Sequence, residues 1–161
     1  MVAHEVKPNV VSKGNYRKFF LMLAVSFVIM HVTMYLNTEK VDHLYLSTNR
    51  LYMTTLMITT MAVVMLLFMR GMYQDSRINR SIISGSVALF VAALLGVRHQ
   101  VFIDDERFMQ SMIPHHSIAI LVSKNADLSD PEVKELAHSI IQAQEREIAQ
   151  MKRILARMNR K

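Results

Sequence analysis

Three uninterrupted apolar runs decide what this chain can become. Residues 19–36, 51–69 and 81–97 contain no Asp, Glu, Lys or Arg. At about 1.5 Å of rise per residue, each run reaches roughly 26–28 Å as a helix, close to the ~30 Å hydrocarbon layer of a bilayer. Backbone that crosses lipid must satisfy its own polar groups, and a run of this length does so as a helix. The sequence therefore predicts an all-α chain with three transmembrane helices. The third and shortest run carries Gly85, Ala88, Ala92 and Gly96 close to one face. Such a row of small residues is expected to let helices approach closely in lipid.

The net charge of +6 would ordinarily raise nucleic acid as a partner, but its placement removes that idea. Residues 1–97 hold nine basic against four acidic side chains, and residues 98–161 hold ten against nine. The excess sits beside the apolar runs, where it acts as a topology signal. Lys7, Lys13, Arg17 and Lys18 precede the first run, and Arg70, Arg77 and Arg80 lie between the second and third. The other side has Lys40 and Arg50, offset by Glu39 and Asp42, with Arg98 and Arg107 after the third run. The expected arrangement is a cytoplasmic arm over residues 1–18, a three-helix membrane region over 19–97, and an extracytoplasmic part over 98–161. This would be a multi-pass protein of the cell (inner) membrane. The basic start of the first run also suits a signal peptide. Residues 32–36 lack the small side chains of a cleavage site, so a retained anchor is expected.

The C-terminal part reads as an antiparallel helical hairpin. Asp104 or Asp105 can cap a first helix that runs to about Asn125. Pro131 follows Asp130, a capping residue and then a proline at the first helical position. Val133, Ala137, Ile140, Ile141, Ile148, Met151, Leu155 and Met158 then recur at helical spacing. Only residues 98–103 separate this part from the third run, so the third membrane helix is expected to continue directly into it. One hairpin buries too little to be stable alone, which predicts a homodimer or packing on the membrane helices.

Chemistry concentrates in Phe108-Met109-Gln110-Ser111-Met112-Ile113-Pro114-His115-His116. At 100° per residue from Met112, Met109 falls at about +60°, His116 at about +40° and His115 at about −60°. Two thioethers and two imidazoles are thus expected on one helix face, with Pro114 loosening the turn between them. On the second helix Gln144, Ile148 and Met151 lie near the centre of the apolar face, with Glu147 at its flank. Thioether with imidazole is a soft donor set that suits Cu(I), and by extension Ag(I). The chain has no cysteine, which excludes disulfides and thiolate sites, and its 14 methionines are unusually many.

The run Phe108-Met109-x-x-Met112-Ile113-Pro114-His115-His116-x-x-Ala119-Ile120 resembles the signature of the family known as domain of unknown function 305. So does the later stretch Glu135-Leu136-Ala137-x-x-Ile140-Ile141-x-x-Gln144-x-x-Glu147-Ile148-x-x-Met151. The resemblance covers about residues 104–158. It implies half of a ferritin-like four-helix bundle and a link to copper or silver binding and tolerance. Residue by residue it implicates Met109, Met112, His115, His116 and Met151 as metal ligands, with Gln144 and Glu147 in support. The family usually has a methionine where this chain has Val122.

Other features are weaker. Met53, Met57, Met61, Met65 and Met69 recur every fourth residue and, with His31, form a candidate path for Cu(I) along the membrane. The bland alternative is apolar packing. Glu135-x-x-His138 matches the pattern of di-iron bundles, but His138 should face solvent. No phosphate-binding glycine loop, catalytic triad or metalloprotease helix occurs, so the chain is not expected to be an enzyme. Two functions remain: soft-metal binding for copper homeostasis, or a membrane assembly module that dimerises or takes a partner through the hairpin.

Overall fold

The computed structural model describes residues 13–160. Of the basic arm, Lys7 lies outside the described residues, as do His4 and Lys161. Among the described residues the chain is all-helical: α1 (Lys13–Thr33), α2 (Thr48–Phe68), α3 (Ser76–His99), α4 (Asp105–Asn125) and α5 (Pro131–Met158), with one 3-10 turn at Val41–His43. Three segments are long and apolar enough to cross a membrane: Asn15–Thr33, Thr48–Phe68 and Ser76–His99.

Helix α2 is central, and both α3 and α1 pack against it. The end near α1's start is closed by an aromatic knot. Tyr73 meets Tyr16 and Phe19 at ring separations of 5.4 and 5.2 Å. The Tyr16 hydroxyl donates to Asn79 Oδ1 at 2.9 Å. The face of α3 turned toward α2 is Ile82, Ser86, Ala93 and Gly96. This corrects the expected small-residue row. Of its four members only Gly96 is buried, and a Cβ there would lie 2.9 Å from Tyr52 Cε1, whereas Gly85, Ala88 and Ala92 are exposed.

The expected continuation of the third membrane helix into the hairpin is also corrected. α3 stops at His99, because Gln100 and Phe102 both take left-handed backbone (φ 51° and 59°). The break is pinned from α2: Tyr52 donates to the Val101 carbonyl at 2.6 Å, and Asn49 and Gln100 exchange side-chain amide bonds.

Helices α4 and α5 start as the sequence predicts. Asp104 accepts from the Arg107 amide, and Asp130 accepts from the amides of Glu132 and Val133, ahead of Pro131. Met109, Ile113 and Ile120 meet Ile148 and Leu155 in a core that also takes Tyr45 from the α1–α2 connection. That connection holds the helix pair. Buried Ser117 accepts from the Glu39 amide at 2.8 Å and bonds His43 Nδ1 at 2.9 Å. Ser47 and Ser111 share a bond at 3.1 Å. At the rim Lys124 pairs with Glu39 and Lys152 with Asp42.

Candidate metal centre

The α4 side chains that meet α5 in the core fall within a narrow arc. Measured from Met112, Met109, Ile120 and Ile113 lie at about +60°, +80° and +100°. α5 packs against that arc, not against the Met112 direction. His116, at about +40°, is therefore carried inside and is 9% exposed. His115, on the opposite side of Met112, faces solvent. The two rings sit 6.1 Å apart with different surroundings.

Beside His116 a groove of about 550 Å³ opens between the two helices. Met109 and Met112 line it from α4, and Met151 and Met158 from α5. His116 Nε2 lies 2.6 Å from Glu147 Oε2 across the groove. Its other nitrogen, Nδ1, is buried and has no hydrogen-bond partner. A neutral ring that donates from Nε2 to a carboxylate keeps a lone pair on Nδ1. Carboxylate on one nitrogen and a bare lone pair on the other is the arrangement of a metal-ligating histidine. Among the described residues no group of three or more His, Asp or Glu gathers in a way that could hold a metal. The donors assembled here are thioethers with one imidazole, a set that fits Cu(I) and does not fit Mg or Ca.

Of the expected ligands, Met109, Met112, His116 and Met151 share this groove with Glu147. His115 and Gln144 do not line it. Met158 is the member the sequence did not single out as a donor. It stands seven residues after Met151, two turns along the same face. Val122 is 56% exposed and takes no part.

The membrane candidates lie elsewhere. His31 Nδ1 bonds Thr54 Oγ1 at 3.1 Å, and its ring stacks on Phe27. Met65 and Met69 pack against the aromatic knot, while Met53 and Met57 stay exposed. The methionine row therefore shares no single surface. His138 faces solvent and bonds Gln142.

Electrostatics are perturbed at the clasp between the connection and the helix pair. Burial, reinforced by Lys152, pushes the His43 imidazole below its ordinary value, against the opposing pull of Asp42. The Lys152 hydrogen bond holds the Asp42 carboxyl low. The Glu39 hydrogen bond raises Lys124.

The family described as domain of unknown function (DUF305) matches residues 93–161, from the last turns of α3 to the end. An uncharacterized protein of Acanthamoeba polyphaga mimivirus is 33% identical over 144 residues, covering 88% of this chain and 93% of that protein. That similarity takes in the apolar helices as well as the helix pair. No solved structure matches the chain.

Proposed function

The chain belongs to the family described as domain of unknown function (DUF305), and from that premise we propose that it is a membrane-anchored protein that binds a soft metal, Cu(I) or Ag(I), for copper homeostasis or tolerance. The observation that carries this is His116, anchored through Nε2 to Glu147, with Nδ1 buried and unpartnered beside a groove of four methionines. His116, Met109, Met112 and Met151 are the ligands, Met158 is a fifth candidate donor, and Glu147 orients the ring. Cu(I) favours neutral thioethers, which lose no proton on binding and form no disulfide in an oxidising compartment. No residue is assigned a catalytic role.

In this reading α1, α2 and α3 cross the membrane with the N-terminus cytoplasmic. The exposed Arg70, Arg77 and Arg80 share the end where α1 begins. The helix pair then lies outside the cytoplasm, together with the α1–α2 connection that clasps it. A second copy completes a ferritin-like four-helix bundle. The assembly-module alternative draws on Val122 and Leu136, both more than half exposed beyond the clasp.

Competition for Cu(I) against a chromogenic chelator, with the full chain in detergent, tests the metal reading. The expected result is tight binding that His116→Ala weakens by more than about tenfold and His115→Ala leaves unchanged. Binding that is absent, or equally sensitive to both substitutions, overturns it and leaves the assembly module.

A further inference from the structure

A wide hollow opens in the membrane layer. α1 and α3 both pack on α2 but make no close backbone approach to each other. Between them runs an apolar groove of about 870 Å³, with Phe20 and Phe27 on one wall, Ile82 and Leu89 on the other, and Ala62 in its floor. Gly85 lines it too, and nothing lies within 4 Å of where a Cβ on Gly85 would sit. Arg77 marks one end of the groove. Its side chain makes no ion pair among the described residues, and it also lines an adjoining hollow with Arg80. The nearby Asp75 carboxylate bonds the first amides of α3, those of Arg77 and Ile78.

Length decides between occupants. From Arg77 to Leu89 the groove extends about 18 Å along α3, taking about 1.5 Å per residue. One leaflet contributes about 15 Å of the ~30 Å hydrocarbon layer. The groove therefore matches a chain that stops at the bilayer midplane. A fourth helix would need a surface running the full thickness. An acyl chain fits this length, and the unpaired arginine at the wet end selects its headgroup.

We propose that this groove is a binding site for one anionic phospholipid, its acyl chain between α1 and α3 and its phosphate against Arg77, in the leaflet facing α3's N-terminus. That leaflet is the cytoplasmic one in the orientation proposed above, where anionic lipids concentrate. The inference rests on the membrane placement and is independent of the metal.

The test is native mass spectrometry of the full chain released from nanodiscs of equal parts phosphatidylglycerol and phosphatidylcholine. Wild-type protein is expected to retain one phosphatidylglycerol. Arg77→Gln should lower the preference for phosphatidylglycerol about fivefold, the worth of one basic residue at an anionic surface. Gly85→Leu puts a branched side chain into the groove from a position whose Cβ meets no neighbour, and should retain no lipid. Circular dichroism checks that both variants remain helical. Equal retention of the two lipids, retention by Gly85→Leu, or a second protein copy in place of lipid overturns the proposal while membrane placement stands. Wild-type protein that fails to enter nanodiscs removes both.

Discussion

Ser117→Ala is the most informative single change at the clasp. Ser117 is fully buried, and its hydroxyl takes the Glu39 N–H at 2.8 Å and bonds His43 Nδ1 at 2.9 Å. The tautomer of the His43 ring sets which partner donates in the second bond. Alanine strands a nitrogen on a ring only 5% exposed, together with a backbone amide. Each buried group left unpaired costs about 1–3 kcal/mol, so docking should lose about 2–6 kcal/mol. The rim pairs Lys124–Glu39 and Lys152–Asp42 cannot make up that loss, since exposed ion pairs contribute about 0–1 kcal/mol each. Hydrogen exchange over residues 38–47 reads the effect directly. A loss of about 2 kcal/mol raises exchange about thirtyfold if these amides exchange by local undocking. Lys152→Ala should raise it only a few-fold. Adding His43→Leu to Ser117→Ala should recover part of the protection, because the ring nitrogen is then gone and only the Glu39 amide stays unpaired. Unchanged exchange in Ser117→Ala, with strong acceleration in Lys152→Ala, would refute the reasoning and make the docking electrostatic.

Three further outcomes are expected. Glu147→Gln keeps an acceptor for His116 but removes its charge; Cu(I) affinity should fall about 10–100-fold in the chelator competition, with the thermal melt unchanged. Gly96→Ala places a Cβ 2.9 Å from a Tyr52 ring that is pinned by its bond to the Val101 carbonyl. It should cost about 1–3 kcal/mol, seen as a lower melting temperature by circular dichroism. Docking should also weaken in acid. His43 is held below its ordinary 6.5, so the undocked ring takes a proton that the docked ring refuses. Protection of residues 38–47 should be complete above about pH 6.5 and decline as pH falls below it. Asp42, held low by Lys152, adds its own loss only as pH passes below its ordinary 3.8. Lys40, Glu39 and Glu145 share that surface, and a decline that begins only near pH 4 would assign the effect to the carboxylates.

The apolar helices were legible because lipid demands long uncharged runs, and a run is a local property. The starts of α4 and α5 were legible for a similar reason: a capping Asp announces itself within three residues. The clasp was not. Ser117 is 78 residues from Glu39, and no local period marks a buried serine that meets a loop across the fold. The break after α3 was hidden too, since Gln100 and Phe102 take left-handed backbone without the glycine that usually signals it.

The two histidines show how a helical wheel can be correct in every angle and still misplace a residue. Centred on Met112, it sets Met109 and His115 symmetrically at about +60° and −60°. Burial in the structure breaks that tie. Ile113 and Ile120 are seven residues apart, near +100° and +80°, and two fully buried isoleucines fix where a partner helix must lie. Centred there, His116 stands at the edge of the buried arc and His115 well outside it. Val122, near −80°, is almost diametrically opposite, which changes the meaning of its departure from the family pattern. A thioether at 122 would point away from the groove within this helix pair, so valine there removes no donor from it. The groove instead gains Met158 from α5. If a methionine at 122 serves relatives, it serves them on another face of the pair, and its absence here leaves the His116–Glu147 arrangement intact.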